Sequence, residues 1–486
     1  MITTVGNGQS VRGEAGQRIA LVGLGIYVLF APHSVAASAI GVAVACIGWL
    51  LRTLQTRSLG LRWSKFEPVI VLSLLWTVAA ALLSEEPRIS VAKLQASWCV
   101  LLFYLARATV TRRSALVLVA LLMVSGSAGA LYSAFDLLRG RGVVVESIAA
   151  GSPFHEIGIK PGDTIWQINR QRVYSVSDID HALSELSPIA PVTVGIISQG
   201  EQVERFFWLR QMSASGLTGT EHNHRFRASG WTRHYETFAE LLQMIAQLAL
   251  GLALAHLRNH GPNKIFRIAL IAAALLTAGL VFTAMRTVIV AFVIGASVMA
   301  LRSLRATLRV VFTFAIFAVL AFAAVVVWQT RDRNALLLGD PSSSLRVEVA
   351  RVGLSRIPIH PIFGHGMDAM QLHWNEWGFP GKDMLHLHST PLQLAFDRGL
   401  PMLALWLWMM ILFWLTIARA ERRAADLSDT NFYGILLGTL GALTGFLMSS
   451  LVNYNYGDAE AAMMFWFLMG ITVGLTLRNR PIGRTT

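Results

Sequence analysis

The sequence is poor in charged residues and in cysteine. Charged side chains make up 14% of its 486 residues, whereas a soluble protein of this length carries about 25%. Its two cysteines, Cys46 and Cys99, both fall within apolar runs, which excludes a disulfide framework and a cysteine-based metal site. Hydrophobic residues account for 54% of the chain, so the composition indicates a membrane protein.

Several enzyme motifs are also missing. The sequence contains no His-Glu-x-x-His zinc helix and no Gly-x-Ser-x-Gly nucleophile elbow, so neither of these hydrolase types is expected. It has no Walker motif and no glycine-rich nucleotide loop, so we expect no nucleotide substrate and no cofactor.

Apolar segments recur along the whole chain. Each is close in length to the roughly 17–25 residues that a helix needs to cross about 30 Å of hydrocarbon. The predicted fold is therefore an all-α polytopic membrane protein with about twelve transmembrane helices. The predicted spans lie near 18–32, 35–51, 68–84, 94–109, 114–138, 237–257, 265–284, 285–301, 307–329, 400–418, 432–452 and 459–477.

The distribution of basic residues predicts the topology. The net charge is +13, but arginine and lysine concentrate in alternate connections, for example at Arg302, Arg305 and Arg309. Cytoplasmic connections carry such an excess, so the basic side is assigned to the cytoplasm. Twelve spans with both termini in the cytoplasm satisfy every connection, as in the inner membrane of a bacterium. The basic charge is thus a topology signal that favours contact with membrane lipid, and nucleic acid is not an expected partner.

Two long polar segments, 139–236 and 330–399, interrupt the helices, and the charge pattern assigns both to the periplasm. In the first segment, VVVESI alternates like a short strand and KPGD predicts a turn. TIWQINRQRV predicts two strands that reverse at Asn169. SDIDHALSEL predicts a helix capped by Ser177 or Asp178. Together these elements predict a small α+β domain inserted between membrane helices.

This order of elements, and the stretch GIKPGDTIWQIN in particular, resembles a bacterial PDZ domain over roughly 140–212. PDZ domains bind extended peptides by strand addition, so the resemblance implies a periplasmic protein or peptide as partner. The usual place of the carboxylate-binding loop, Arg139–Gly142, lacks the Gly-Leu-Gly-Phe type of pattern. A docking or spacer module without a free peptide ligand is therefore an equal alternative.

The second polar segment predicts two helices separated by a turn. SSSLRVEVARVGLSRI forms an amphipathic pattern that Ser344 is expected to cap and that Pro358 ends. Gly364 and Gly366 predict a tight turn. The run STPLQLAFDRG then predicts a second helix that continues toward the tenth span.

Two histidines, His386 and His388, stand immediately before this second helix. A neutral imidazole accepts a proton near pH 7, and guanidinium groups such as those of Arg286 and Arg346 bind phosphate in a bidentate manner. The pattern therefore favours a diphosphate donor held by arginines and attacked by a hydroxyl group. No zinc-type spacing accompanies the histidines, so no metal is expected. A metal would need a third ligand from His360, His365, His373 or Asp383.

The run SSLRVEVARVGLSRIPIHPIFGHGMD, the run HLHSTPLQLAFDRGLPML and the span start FTAMRTVIVAF resemble the signature of the O-antigen ligase and polymerase superfamily. The resemblance implies that His388 is the essential histidine and that Arg286 and Arg346 contact the pyrophosphate of the donor. His386 is implied as a neighbouring substrate-binding residue, although the match favours His388 as the essential one. Three positions depart from the family pattern and affect the substrate more than the superfamily, namely Met285, Ser389 and Asp397.

The resemblance further implies a metal-independent, inverting glycosyltransferase without a cofactor. Its donor is an undecaprenyl-diphosphate-linked glycan and its acceptor is a hydroxyl of lipid A–core. Polymerisation of O-antigen or exopolysaccharide, with another glycan as acceptor, and protein O-glycosylation are alternatives within the same chemistry. A non-enzymatic PDZ scaffold or a transporter is the alternative from a different class.

The predicted organisation has six parts. They are N-terminal membrane helices at 1–138 (about five spans), a PDZ-like domain at 139–212, a periplasmic linker at 213–236, membrane helices at 237–329 (about four spans), a periplasmic catalytic loop at 330–399, and C-terminal membrane helices at 400–486 (about three spans).

Overall fold

A computed structural model defines the fold over most of the chain. It describes residues 13–140, 142–169, 171–187, 190–198, 201–208, 215–221, 227–232, 234–330, 341–381 and 386–478. Arg141, which belongs to the predicted carboxylate-binding position, and Asp383, a candidate metal ligand, lie outside these residues.

Eleven helical segments in the described ranges are long and apolar enough to cross a membrane. They are α2 (Val35–Thr56), α3 (Phe66–Leu83), the continuous segment Pro87–Thr109 with α4 (Pro87–Lys93) and α5 (Leu101–Thr109), α6 (Arg112–Arg139), α9 (Tyr235–His260), α10 (Lys264–Phe282), α11 (Arg286–Ser303), α12 (Ala306–Thr330), α15 (Thr390–Ala424), α16 (Thr430–Ser450) and α17 (Ala459–Arg478). This confirms the predicted class of polytopic helical membrane protein.

The first predicted span forms a shorter helix, α1 (Glu14–Phe30), of 17 residues. It packs closely on α2 because both helices present small residues at the contact. A Cβ added to Gly23 would lie 2.3 Å from the backbone nitrogen of Ala45, and one added to Gly48 would lie 2.2 Å from that of Ala20. Small residues let the two helix backbones approach closely. Within a bilayer the hydrophobic effect does not drive helices together, so this close van der Waals packing stabilises the pair.

The centre of the helical bundle is formed by α9, α16 and α17. The apolar segment of α9 is completely buried inside the protein, and the apolar segments of α16 and α17 are mostly buried. Glycines again permit close approach, since a Cβ on Gly251 of α9 would lie 2.4 Å from the backbone nitrogen of Gly438 on α16. These helices carry the polar residues that support the candidate site.

The inserted domain contains a six-stranded antiparallel sheet with the order β5-β4-β2-β1-β6, in which β3 pairs with β2. Two helices accompany it, α7 (Pro153–Glu156) and α8 (Val176–Ser184). Asn169 reverses the chain with φ +45°, as predicted. The strands are β1 (Val143–Ile148), β2 (Thr164–Ile168), β3 (Gln171–Arg172), β4 (Pro191–Ser198), β5 (Glu201–Trp208) and β6 (Leu217–Glu221).

Two local predictions for this domain were wrong. The cap of α8 is Ser175, because its hydroxyl accepts from the backbone N–H of Asp178 while the Asp178 carboxylate accepts from the N–H of Ser175. This reciprocal capping box fixes the helix start before Ser177. The predicted linker contains β6, which pairs with the outer edge of β1, so the sheet extends beyond 212.

The segment after α12 forms α13 (Pro341–Arg356), the short helix α14 (Ala369–Leu372) and the beginning of α15. Because α13 begins at Pro341, Ser344 lies in its first turn and the prediction of a Ser344 cap was wrong. Gly364 and Gly366 form the predicted turn with φ +73° and +107°. The second helix continues into the tenth predicted span, with a kink at Gly399, where φ is +79°.

Candidate functional site

The two histidines occupy a short loop that ends at the N-terminus of α15. His388 has φ +52°, which is uncommon for a residue with a side chain. Its backbone N–H donates to Nδ1 of His386 at 3.3 Å, and the two rings lie 4.4 Å apart. The Nδ1 atom of His386 is therefore an acceptor, and the loop turns tightly enough to place both rings side by side.

Leu387, between the two histidines, anchors the loop. Its side chain is buried, and its N–H donates to Oε1 of Gln393 at 2.6 Å. The amide of Gln393 in turn donates to Asp397 at 2.8 Å. Leu387 packs against Gly353 of α13, where an added Cβ would lie 2.6 Å from Cδ2 of Leu387. The loop conformation is thus fixed by α13 on one side and by α15 on the other.

Both imidazoles are kept neutral by their surroundings. Burial, together with the charges of His386, Arg346 and His234, lowers the pKa of His388 to about 2. Burial, with the charges of Arg346 and His234, lowers the pKa of His386 to about 4. Desolvation and the neighbouring positive charge both lower the pKa of these histidines, because both disfavour the protonated imidazole.

Nδ1 of His388 is buried and has no hydrogen-bond partner among the described residues. An unpaired buried polar atom costs about 1–3 kcal/mol, and this one differs from the other unpaired atoms of the described chain in lying beside a second imidazole, that of His386. Arg346 lies on α13, is half-buried, and makes no hydrogen bond or ion pair with the described part of the chain. The site therefore presents a lone-pair or N–H position near a guanidinium group whose charge acts on both loop histidines and on Glu236.

His234 joins this group although the sequence analysis did not select it. It caps α9 through Nδ1, which accepts from the N–H of Glu236 at 3.3 Å. Desolvation and the charges of Arg227 and Arg346 lower the pKa of His234 to about 4. Its electrostatic influence on both loop histidines places it next to the same site.

Arg286 begins α11, directly after Ala284 with φ +52° and Met285. It is connected to the histidine loop through its neighbour Thr287. The side chain of Asn453 donates to Oγ1 of Thr287 at 3.3 Å, and the carbonyl of Asn453 accepts from the N–H and the hydroxyl of Thr390, both at 3.1 Å. The structure therefore groups His386, His388 and Arg346, and links Arg286 to them through this relay.

A buried carboxylate organises the relay. Glu240 of α9 is 1% exposed and accepts from Ser449, from Asn453 at 3.2 Å and from Asn455 at 3.4 Å. Asn455 also accepts from Thr390 at 3.1 Å. The sequence analysis missed this network, although an acidic residue inside a predicted span signals a functional or structural polar site.

A cavity of about 230 Å³ lies beyond Tyr454, whose ring is 5.6 Å from that of His386. Arg398, Lys93, Asp368 and Asp397 form its polar wall, in which Lys93 pairs with Asp368. Met402, Met409 and Trp466 contribute apolar surface. A cavity with both kinds of wall suits an amphiphilic molecule.

The departures from the family pattern occupy structural positions. Ser389 precedes α15 without a side-chain capping bond, and Met285 does the same for α11. Asp397 accepts from the amide of Gln393.

The fold and the site define a multi-pass membrane protein with a histidine–arginine site outside the spans and an inserted antiparallel-sheet domain. Residues 271–407 match the family model described as O-Antigen ligase, and residues 119–204 match that of the PDZ domain. Both resemblances seen in the sequence are thereby confirmed over these ranges. The chain thus contains one region that matches the O-antigen ligase family and one that matches the PDZ domain family.

The O-antigen ligase match contains Arg286, Arg346, His386 and His388, whereas His234 and Glu240 lie outside it. The chain also resembles the probable periplasmic serine endoprotease DegP-like of Hahella chejuensis (strain KCTC 2396), with 26% identity over 84 residues. That alignment covers 17% of this chain and 18% of the relative. The chain therefore spans less than a fifth of that protein's length.

Proposed function

We propose that this protein transfers a glycan from an undecaprenyl-diphosphate carrier to a hydroxyl of lipid A–core on the periplasmic face of the bacterial inner membrane. In this proposal both termini lie in the cytoplasm, and the segment from 330 to 399 carries the catalytic loop. The observation that carries the proposal is the buried Nδ1 atom of His388, unpartnered in the described chain and close to Arg346.

Arg346 and Arg286 are the proposed ligands of the diphosphate. A guanidinium group donates two parallel hydrogen bonds to phosphate oxygens, and such charge-assisted bonds are about twice as strong as neutral ones. Arg346 supports this role because its charge acts on both loop histidines and because it makes no hydrogen bond or ion pair with the described residues. Arg286 supports it because Asn453 connects the start of α11 with the histidine loop. Both arginines would stabilise the charge that develops on the leaving diphosphate.

His388 is the proposed acceptor of the proton. The acceptor hydroxyl oxygen attacks the anomeric carbon, the bond from that carbon to the diphosphate oxygen breaks, and the diphosphate leaves with the electron pair. The hydroxyl proton moves to Nδ1 of His388, and attack opposite to the leaving group inverts the anomeric configuration. No step passes through a metal or a cofactor.

Donor binding also strengthens the base. In the free protein the charge of Arg346 contributes to the low pKa of His388. A bound diphosphate neutralises that charge and adds negative charge nearby, so the pKa of His388 rises when the donor is in place. His386 accepts from the backbone of His388 and is the proposed positioning residue of the loop. The cavity beyond Tyr454 has room for part of an amphiphilic substrate.

The same donor chemistry serves a polymerase of O-antigen or exopolysaccharide and a protein O-oligosaccharyltransferase, since these enzymes differ in the acceptor. The PDZ domain supports a periplasmic protein or peptide as an additional partner.

The test replaces His388 by Ala in the native bacterium and separates the lipopolysaccharide on a gel. General-base catalysis contributes about 10²–10⁴-fold, so we expect loss of the whole ladder, with polymer retained on its lipid carrier. His181→Ala, at an exposed position of the PDZ domain, is the matched control. Core bearing a single repeat would instead indicate a polymerase. If lipopolysaccharide, exopolysaccharide and glycoproteins all remain intact while the protein is made, the catalytic assignment of His388 fails.

A further inference from the structure

A second group of histidines lies outside the proposed transfer site. Oε2 of Glu85, in the connection after α3, is 2.7 Å from Nδ1 of His365 and 3.5 Å from Nε2 of His360. One ligand atom from each of these three residues lies within 4.8 Å of the others. The cluster shares no residue with the group around His388.

The hydrogen bond on the far side of His365 defines its tautomer. Nε2 of His365 lies 3.0 Å from the carbonyl oxygen of Arg356, which can only accept, so Nε2 carries the hydrogen. In a neutral ring Nδ1 then holds a lone pair, and this lone pair faces a carboxylate oxygen of Glu85. A lone pair that faces a carboxylate oxygen at 2.7 Å is unfavourable unless a cation binds both atoms. Zinc bonds of about 2.0–2.2 Å in a tetrahedral arrangement place two ligand atoms roughly 3.3–3.6 Å apart, so the side chain of Glu85 would shift slightly when it binds the ion.

A proton and a metal ion are the two cations to consider. A proton would create an imidazolium–carboxylate pair of His365 and Glu85. It would connect only two of the three ligand atoms, because Nε2 of His360 would take no part in that pair. A metal ion uses all three ligand atoms. Metal-bound histidines commonly donate their other ring N–H to a backbone carbonyl, as His365 does to Arg356.

We propose that Glu85, His360 and His365 bind a divalent transition-metal ion of the zinc type, with water completing the coordination. Two imidazole nitrogens and one carboxylate oxygen form a ligand set that zinc accepts, with bonds of about 2.0–2.2 Å. His365 is held rigidly, since its side chain is 1% exposed and its ring stacks 4.6 Å from Phe396. His360 and Glu85 are partly exposed, at 42% and 36%, so they can adjust to the ion.

The position of the cluster assigns the ion a structural role. The turn that carries His365 supplies hydrogen bonds to α15, because the N–H of His365 donates to Phe396 at 2.8 Å and that of Gly366 donates to Asp397 at 3.1 Å. The N–H of Leu400 donates to Pro361 at 2.8 Å. These bonds replace helical ones that the kink at Gly399 interrupts. The ion would therefore connect the end of α3 with the turn that supports α15, and the inference does not depend on the proposed transfer reaction.

The test measures metal in the full-length protein, purified in detergent through an affinity tag without histidines. The protein is incubated with Zn²⁺, desalted and analysed by plasma mass spectrometry. We expect about one Zn²⁺ per chain, and loss of it in His360→Ala and Glu85→Gln. His373→Ala is the matched control, since His373 also contacts glutamates but belongs to another cluster, and it should retain the ion.

A thermal measurement separates loss of the site from loss of the fold. Zn²⁺ should raise the Tm of the unchanged protein and of His373→Ala, but not that of His360→Ala, because only the folded state holds the complete ligand set. His360 is half-exposed, so its replacement leaves the packing around Phe396 in place. Equal zinc content in all variants, or no zinc in the unchanged protein, would overturn the proposal.

Discussion

His388 and His373 are loop histidines with opposite electrostatic settings. His388 faces Arg346 and two other imidazoles, which together with burial lower its pKa to about 2. His373 contacts Glu376 at 2.6 Å and Glu86 at 2.9 Å, and these hydrogen bonds raise its pKa. The two residues therefore differ in protonation state under the same mildly acidic conditions.

This difference also determines how each residue affects stability. An unfolded histidine has a pKa of about 6.5, so below that pH the unfolded chain binds more protons at position 388 than the folded one does. The contribution of His388 to the free energy of unfolding therefore decreases as the pH falls below about 6.5. The contribution of His373 to the stability of the fold depends on pH in the opposite direction. It is fully present below about pH 6.5 and is lost as the pH rises through the raised pKa of His373 in the folded state.

Chemical labelling tests the residue-scale assignment without an activity assay. Diethyl pyrocarbonate reacts with neutral imidazole, and peptide mass spectrometry reports each histidine separately. Corrected for reagent decay, labelling of His388 should be nearly constant from about pH 5 to pH 7.5, because the ring stays neutral throughout. Labelling of His373 should fall steeply toward pH 5. A parallel decline at both residues would contradict the low pKa of His388.

At the scale of elements, the histidine loop is held between α13 and α15. Gly353 is the point of closest approach, because its missing side chain leaves room for Leu387. Gly364 and Gly399, both with positive φ, let the following turn reach the kink of α15. The orientation of His386 and His388 thus depends on contacts that neither helix makes alone.

Gly353→Ala tests this arrangement. In an open helix the change would stabilise by about 0.8–1.0 kcal/mol, but the new Cβ would lie 2.6 Å from Cδ2 of Leu387. Overpacking costs about 1–3 kcal/mol, so we expect a net loss of stability and a lower Tm. Ser355→Ala, on an exposed position of α13, is the control and should have little effect.

A double variant identifies the cause of that loss. Leu387→Ala removes the group that the new methyl would meet. The losses of Gly353→Ala and Leu387→Ala should therefore sum to more than the loss of the double variant, since contacting residues are not additive. Strict additivity would mean that Gly353 does not act through Leu387.

At the scale of the whole molecule, one arginine attaches the PDZ domain to the membrane helices. Arg172 of β3 donates to Tyr132 and Asp136 of α6, both at 2.8 Å, and to the carbonyl of Gly230. Asp136 is 2% exposed and also accepts from the hydroxyl of Tyr174 at 3.2 Å. The sheet has its own buried cluster, with Val143, Ile165 and Val194 at its centre.

Removing the guanidinium of Arg172 should loosen this attachment without unfolding the domain. Loss of one partner from a buried ion pair costs about 3–5 kcal/mol, because the other charge stays buried. In Arg172→Ala we expect faster hydrogen exchange at 227–232 and in the last turn of α6, with exchange in β4 unchanged. Lys160→Ala, an exposed cation of the same domain, should alter neither. A second change, Asp136→Asn, should recover part of the protection, and faster exchange throughout β4 would show that Arg172 supports the sheet itself.

Much of the local structure follows from runs of neighbouring residues. The length of each apolar run predicted the spans. The predicted boundary between the spans 265–284 and 285–301 lies between the end of α10 and the start of α11 in the structure. Errors arose where one side chain decided between adjacent positions, as in the capping box of Ser175 and Asp178. The strand β6 was missed because LTGTE has weak strand propensity and forms through pairing with β1.

The sequence by itself determined the spans, the PDZ domain and the pattern that contains Arg286, Arg346, His386 and His388, because hydrophobic length, turn chemistry and motif spacing are local properties. Only the tertiary structure decided which groups surround His388. His234 and Glu240 come from the start of α9, and Asn453 follows α16, so their proximity depends on how helices far apart in sequence pack. Burial and neighbouring charge, which set the pKa of His386 and of His388 and leave Nδ1 of His388 without a described partner, exist only once that packing is complete.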